Sequence, residues 1–238
     1  MNEPVPPSDF SESFRLFDTP HLAALVLSLL AIVCVPLIGR CLSVTYRRHA
    51  VWTLIVFAVA QEIVDYGNRV NLRGLSLTED LPLHLCNYGL LIAAVGLITR
   101  NRFCFEFAYF TGTTAVMQAL LTPNLDDLKN LTEYVVYFIH HALIIQFALW
   151  NVVVDGMLTS RGAVARTLLL IVAMMPPVGL VNWLTDANYM YLRARPAVDN
   201  PLVIGDWPWY IVSVMIIGWV LMLIAALPMQ WLRRRSAL

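Results

Sequence analysis

The chain has 238 residues, of which 59% are hydrophobic and 13% are charged, with a formal net charge of zero. A soluble domain is usually about 25% charged. The low charge and a mean hydropathy of +0.67 therefore exclude an ordinary soluble globular domain and indicate a polytopic membrane protein. The neutral charge gives no indication of a nucleic-acid partner, and we expect no cofactor.

Seven apolar stretches are long enough to cross a bilayer, which takes about 20 mainly apolar residues. They are 20–39, 50–67, 81–99, 103–122, 133–154, 163–184 and 207–230. The sequence therefore predicts an all-α polytopic bundle of seven transmembrane helices, forming one domain over residues 20–232. A short extracytoplasmic tail at 1–19 would precede it, and a basic cytoplasmic tail at 233–238 would follow it.

Arginine and lysine set the expected orientation, because cytoplasmic loops carry an excess of these residues. The side of the bundle that carries Arg233, Arg234 and Arg235 also carries most of the loop arginines. We therefore expect a protein integral to the plasma membrane, with its C-terminus in the cytoplasm and its N-terminus outside.

Polar side chains collect at one depth, in the outer half of the predicted bundle. Helix two ends with Glu62 and Asp65, and helix three brings His84, Cys86 and Asn87 to one or two turns inside its outer end. The remaining members of this set are Gln118, His140, His141 and Asn182. Single residues of this kind often serve as interhelical hydrogen bonds. A set of them at one depth on five helices predicts a functional site, because polar groups are costly in lipid.

Cys86 is the cysteine of most interest, since the other three lie in the inner part of the predicted bundle or at its cytoplasmic edge. A lone cysteine is usually a small buried hydrophobe. Beside a histidine, however, a cysteine can become a thiolate nucleophile. His84 is two residues away and points to another face of the helix, so a base for Cys86 is expected from His140 or His141.

The segment between the last two predicted helices contains Tyr191 and Arg193. Tyrosine and tryptophan at the end of a span normally form the interfacial belt. An arginine on the less basic side is less expected there. Its planar fork suits a lipid phosphate, so Arg193 is a candidate headgroup contact.

Several motifs resemble those of the YwaF-like bacterial integral membrane proteins, over about residues 50–215. The motifs are 83–87 (LHLCN), 118–123 (QALLTP), 141–144 (HALI), 188–193 (NYMYLR) and 207–210 (WPWY). That family is similar to eukaryotic transmembrane acyltransferases that remodel ether phospholipids, and those are related to androgen-induced type hydrolases of branched fatty-acid esters. The resemblance implies a bacterial cell membrane and a nucleophile and histidine within a helical bundle. Cys86 matches the acyltransferase nucleophile, which is Thr in the hydrolases, and His141 matches the histidine.

The leading hypothesis is a membrane enzyme that transfers or hydrolyses an acyl group on a phospholipid or fatty-acid ester, with a membrane lipid as its partner. Cys86 would attack the acyl carbonyl and His141 would take the thiol proton. The other expected roles are oxyanion stabilisation by Asn87, His84 or Gln118, orientation of the histidine by Asp65 or Glu62, phosphate binding by Arg193, and substrate contact by Gln118, Asn182 and Tyr191.

Two alternatives stay open at this point. The first is a metal-dependent membrane hydrolase, in which His84, His140 or His141, with Asp65, would bind zinc, although no known zinc-motif spacing is present. The second is a transporter or receptor that uses the polar set as a solute site. The acyl donor and acceptor and the oligomeric state do not follow from the sequence.

Overall fold

The computed structural model describes residues 15–125, 130–196, 200 and 202–235, and every regular element within them is helical. The predicted all-α class is confirmed. The elements are α1 (Thr19–Cys41), α2 (Val44–Arg73), α3 (Leu85–Thr99), α4 (Arg102–Thr111), a π-helical turn (Gly112–Val116), α5 (Met117–Leu121), α6 (Leu131–Val153), α7 (Ala163–Thr185), a 3-10 turn (Tyr189–Tyr191) and α8 (Trp209–Arg235).

Five helices among the described residues are long and apolar enough to cross a membrane. They are α1, α2, α6, α7 and α8. The helix α3 is apolar but has only 15 residues. The predicted span 103–122 corresponds to α4, the π turn and α5 in succession. Each of the seven predicted stretches therefore coincides with helix, while length and composition support five full spans.

The helix α6 lies at the centre of the bundle and contacts α1, α2, α3, α4, the π turn and α5. Most of its side chains are buried. By contrast, α1, α7 and α8 expose large apolar side chains such as Leu27, Trp183 and Ile216. An apolar outer surface around a buried central helix is what a bundle in lipid requires, because the surrounding solvent is itself apolar.

The loop 74–84 and the segment after α7 lie at one end of the bundle, which we call the 74–84 end. The Tyr189 hydroxyl joins them by donating to the Leu77 carbonyl at 2.9 Å and accepting from the Leu81 N–H at 2.9 Å. At the other end, called the 154–162 end, Arg100 pairs with Asp155 at 2.9 Å. Successive helices run between these two ends.

The helix α3 begins later than predicted. The predicted stretch starts at residue 81, where Asp80 has the side chain of a helix cap and Pro82 would fit the first turn, but the structure has His84 at the N-cap position and Leu85 as the first helical residue. Asp80 instead accepts hydrogen bonds from Arg69, Arg73 and the Ser76 N–H. A carboxylate that already accepts hydrogen bonds from two guanidinium groups and a loop N–H is not available to cap a helix. As a result, Cys86 lies in the first turn of α3.

The π turn between α4 and α5 changes the direction of side chains in this run. The hydroxyls of Thr111, Thr113 and Thr114 donate to backbone carbonyls four residues earlier, at 2.6 to 2.8 Å. Such back-bonding commonly bends a helix, and π turns often occur at functional sites. Here the turn faces α8.

Candidate active site

Cys86 is the second residue of α3 and carries a free, half-buried thiol. The preceding loop is fixed by a local hydrogen bond, in which the His84 N–H donates to Asn87 Oδ1 at 3.1 Å. The first turn of a helix has backbone N–H groups without intrahelical partners and favours negative charge. The sequence therefore places this thiol where an anion is stabilised.

His140 of α6 is held by a carboxylate from α2. Its Nδ1 lies 2.7 Å from Glu62 Oε1, and the same oxygen accepts from Gln61 Nε2 at 2.5 Å. Because an ionised carboxylate only accepts, Nδ1 carries a proton, and Nε2 is the nitrogen left for another partner. Nε2 is buried and has no partner at ordinary hydrogen-bond geometry among the described residues. Gln146 and Asn151 also have buried side-chain atoms without a partner among the described residues, so it is the position beside Cys86 that distinguishes His140 Nε2.

His141 is held in the same tautomer by a different partner. Its Nδ1 lies 2.7 Å from the Tyr137 carbonyl oxygen, which can only accept, so Nδ1 carries a proton and Nε2 is again the nitrogen left for another partner. The His141 ring also stacks on the Tyr137 ring with centroids 4.2 Å apart, and lies 5.4 Å from the His140 ring. The two neighbouring imidazoles thus each offer one basic nitrogen.

The Cys86 side chain interacts with both of these imidazoles. Glu62 from α2, Cys86 from α3 and His140 and His141 from α6 therefore form one cluster, which we call the cysteine–histidine cluster. It contains a carboxylate, an imidazole and a thiol in sequence, with a second imidazole alongside. Such an arrangement can deprotonate a thiol and stabilise the imidazolium that results.

Three of the predicted site residues have other partners. Asp65 pairs with Arg69 at 2.6 Å, so the carboxylate beside a histidine is Glu62. Asn87 caps the start of α3. His84 accepts a hydrogen bond from the Met190 N–H at 3.4 Å and packs on the Tyr189 and Tyr191 rings. His84 thereby holds the segment after α7 against α3.

Asn182 and Arg193 also hold that segment. Asn182 is fully buried and bonds the Tyr189 backbone twice, accepting from its N–H at 2.8 Å and donating to its carbonyl at 2.9 Å. Arg193 pairs with Asp186 at 2.6 Å and also donates to the Asn182 carbonyl. These contacts all involve Arg193 Nη1, and its role as a headgroup contact stays a prediction. Both residues are explained by the fold of this segment.

A cavity of about 340 Å³ adjoins the cysteine–histidine cluster. It lies between the π turn, α5, α7, α8 and residues 190, 191, 196, 200, 202 and 203. Gln118 and Tyr191 line it, while Leu85 and Tyr137 form the part of its wall next to Cys86 and His141. The cavity differs from the expected one, because Asp65, Asn182 and the cysteine–histidine cluster itself are not among its lining residues.

The pairing of Glu62 with His140 is the feature that sequence reasoning left open. The motif resemblance favoured His141, and Glu62 and Asp65 were equal candidates for orienting a histidine. One signal was present, because Asp65 and Arg69 are four residues apart on a helix and pair at that spacing. That pairing leaves Glu62 as the carboxylate available for α6.

The described residues contain no cluster of ligands for the alternative of a zinc site. Within residues 15–125, 130–196, 200 and 202–235, no group of three His, Cys, Asp or Glu side chains is arranged to hold a metal ion. Asp65, the carboxylate expected in such a site, is occupied by Arg69.

Comparison with known proteins gives one family match. The model of the TMEM164 family matches residues 16–226, which is most of the 238-residue chain. The matched range contains the cysteine–histidine cluster and the lining of the cavity. Neither the curated proteins nor the solved structures provide a match.

Proposed function

The chain belongs to the TMEM164 family, and we propose that it is a seven-pass membrane enzyme that transfers or hydrolyses a fatty acyl group on a lipid. The observation that carries the proposal is the cysteine–histidine cluster. A thiol at a helix N-terminus adjoins two imidazoles whose Nδ1 atoms face acceptors, so that each Nε2 is the nitrogen left for the thiol or the substrate. One of these imidazoles is backed by the Glu62 carboxylate.

The reaction would begin with proton transfer from the Cys86 thiol to His140 Nε2. The thiolate then attacks the ester carbonyl carbon, forming a carbon–sulfur bond. Collapse of the tetrahedral intermediate breaks the ester carbon–oxygen bond, and the His140 imidazolium returns the proton to the leaving oxygen. An acyl thioester on Cys86 and a free hydroxyl compound result. Glu62 would stabilise the transient imidazolium through Nδ1–H.

The second half of the reaction would reverse these steps with a new hydroxyl group. His140 Nε2 would accept the hydrogen bond of that hydroxyl and take its proton as the oxygen attacks the thioester carbonyl carbon, with the His141 imidazole alongside. The carbon–sulfur bond breaks, and the Cys86 thiolate regains a proton from the imidazolium. A lipid hydroxyl as acceptor gives acyl transfer, and water gives hydrolysis.

A lipid substrate fits the position of the cluster. Two of the three helices that build the cluster, α2 and α3, expose large apolar side chains such as Ile63 and Leu91, and an apolar cavity adjoins the cluster. The resemblance to acyltransferases and ester hydrolases, in which Cys86 and His141 match functional positions, supports the same reaction class. We further propose that the 74–84 end lies outside the cytoplasm and the C-terminal arginines inside, from the distribution of arginine.

The direct test is turnover of labelled phospholipid by purified protein in nanodiscs. Wild type should release or transfer the label, and a lipid-like electrophile should modify Cys86. Cys86→Ala should abolish both, whereas Cys86→Ser should retain a small part of turnover, because a hydroxyl is harder to deprotonate than a thiol. Cys104→Ala is the matched control, since Cys104 is also half-buried but lies at the start of α4. Full turnover in Cys86→Ala would overturn the proposal.

A further inference from the structure

The cavity beside the cysteine–histidine cluster has the shape and lining of a binding site for a hydrocarbon chain. We propose that it holds a single fatty acyl chain of a membrane lipid, and that Gly218 of α8 determines the longest chain it accepts. The inference rests on the proposed function for the chemistry at Cys86, but its binding part can be tested separately.

The length of the cavity matches one leaflet of a bilayer. Its lining on α8 runs from Tyr210 to Met222. Twelve residues along an α-helix correspond to about 18 Å. The hydrocarbon core of a bilayer is about 30 Å thick, so one leaflet contributes about 15 Å. A chain that lies along α8 would therefore keep the depth that it has in the membrane.

The polarity of the lining changes along the cavity. At the 74–84 end it includes Gln118, Asn124 and Asn200, whose amide groups bond to neighbouring hydroxyls. Further along α8 and α7 the lining is apolar, with Ile171 and Leu221 among its residues. An ester group with its polar surroundings fits the first part, and an alkyl chain fits the second.

The volume limits the occupant to one chain. Ligand pockets range from about 300 to 1,000 Å³, and this cavity lies near the lower limit with about 340 Å³. A complete two-chain lipid would not be enclosed. The second chain and the headgroup would stay in the surrounding membrane, so the cavity selects on one acyl chain.

The end of the cavity next to the cluster would hold the acyl carbonyl close to the Cys86 thiol. Leu85 immediately precedes Cys86, and Tyr137 stacks on His141. Both residues line the cavity. An acyl chain that fills the apolar part would hold its carbonyl at this wall, beside the thiol and the two imidazoles.

Gly218 lies in the apolar part of the lining, and a Cβ atom added there meets no heavy atom within 4 Å. The space above this glycine is therefore open. A larger side chain at position 218 would project into the cavity without displacing protein atoms at its Cβ. This makes position 218 a means of shortening the cavity from within.

The test compares Gly218→Phe with Val220→Phe. Val220 is on the same helix but faces outward with 44% exposure and does not line the cavity. Each variant is assayed on phosphatidylcholine with octanoyl or palmitoyl chains. We expect Gly218→Phe to lower the palmitoyl-to-octanoyl turnover ratio by at least about tenfold, the scale on which apolar pockets discriminate by size. Val220→Phe should keep the wild-type ratio, and Gly218→Ala, which perturbs folding least, should shift it in the direction of Gly218→Phe.

A binding measurement separates this inference from the proposed chemistry. A palmitoyl phosphatidylcholine with a diazirine at the chain terminus is photolysed with Cys86→Ala protein in nanodiscs. We expect adducts on α8 within residues 214–222, and their loss in Cys86→Ala carrying Gly218→Phe. Such adducts would support the inference even if wild type shows no turnover, in which case the proposed function alone fails. Unchanged adducts and an unchanged chain ratio in Gly218→Phe would overturn the inference and leave the proposed function standing.

Discussion

Each end of the bundle holds a helical glutamate, buried at one end and half-buried at the other, and the two carboxylates have different surroundings. At the 154–162 end, Glu106 of α4 accepts from the Ser160 N–H and hydroxyl at 2.6 Å, and pairs with Arg166 at 2.6 Å. At the 74–84 end, Glu62 accepts from Gln61 and His140. The first carboxylate joins α4 to a loop and to α7, while the second continues into an imidazole.

The two sites differ in whether each hydrogen-bonding atom has a partner within the fold. Both oxygens of Glu106 have partners, so its arrangement is complete and stabilises the fold. The chain of groups that begins at Glu62 continues through His140 to the Cys86 thiol, and His140 Nε2 has no other partner among the described residues. A buried polar group that is left open beside a nucleophile indicates chemistry, whereas a filled one indicates structure.

The largest effect should come from His140→Gln. Glutamine keeps a polar group beside Glu62 but cannot take a proton from Cys86. General base catalysis contributes about 10²- to 10⁴-fold, so turnover should fall by that factor. The measurement is release of labelled acyl chain in nanodiscs, with the free energy of unfolding measured in parallel. His49→Gln is the control, because His49 is exposed on α2 at the 154–162 end. Equal turnover in both variants would move the base role to His141.

Glu106→Gln should lower stability and leave turnover unchanged, in contrast to His140→Gln. The amide keeps the size of the side chain but leaves Arg166 without its carboxylate partner. Breaking a buried ion pair costs about 3–5 kcal/mol. Because Arg166 is partly exposed, we expect the free energy of unfolding to fall by about 3 kcal/mol, at the lower end of that range. Turnover per folded molecule should not change. A fall in turnover without a loss of stability would contradict the structural role of this end.

The sequence predicted more of the fold than of the site. Apolar length was enough to predict an all-α membrane bundle, because that signal depends on composition along one helix. The polar set was recognised from its depth, and it contained Cys86, both histidines and Glu62. The sequence did not show which of Glu62 and Asp65 contacts a histidine, or that Asn182 binds the Tyr189 backbone. Those contacts depend on packing between segments that are distant in the chain.

The start of α3 shows the same limit of sequence-based prediction at a single residue, Asp80. Asp80 followed by Pro82 is a good local signal for a helix start, yet the structure uses His84. Two arginines one turn apart on α2 reach Asp80 and outcompete the local cap. A capping pattern describes a local preference, and a double guanidinium partner overrides it.

Asp80 also gives a pH-dependent prediction of intermediate size. Burial alone would raise the pKa of its carboxyl, but hydrogen bonds from Arg73, the Ser76 N–H and Arg69 outweigh burial and lower the pKa below its ordinary value. The folded pKa is thus below the unfolded value of about 3.9. The stability that Asp80 contributes is fully present above that value and is lost as the pH falls through the folded pKa.

Asp80→Asn should therefore lower the free energy of unfolding by about 2 kcal/mol at neutral pH, the scale of hydrogen bonds to charged groups. The difference from wild type should shrink as the pH is lowered below about 4, because wild type then loses the same charge. Chemical denaturation at a series of pH values measures this. Glu79→Gln is the control, since Glu79 is 63% exposed in its pair with Arg73. A difference that grows in acid would contradict the sign of the effect.

The smallest effect is expected at Tyr137, which stands between the cavity and the cysteine–histidine cluster. Its hydroxyl donates to the Ala119 carbonyl at 2.9 Å, while its own carbonyl holds His141 and its ring stacks on the imidazole. Tyr137→Phe removes only the first of these contacts. The free energy of unfolding should fall by about 1 kcal/mol, the usual net value of one hydrogen bond.

Turnover in Tyr137→Phe should stay within about fivefold of wild type, because the imidazole keeps its carbonyl partner and its stacking ring and the change is near 1 kcal/mol. Tyr46→Phe is the control, since Tyr46 is 65% exposed on α2 and should change neither quantity. If Tyr137→Phe instead lost as much turnover as His140→Gln at unchanged stability, the hydroxyl would belong to the reacting groups. The division between filled and open polar groups would then fail at the residue that separates the cavity from the thiol.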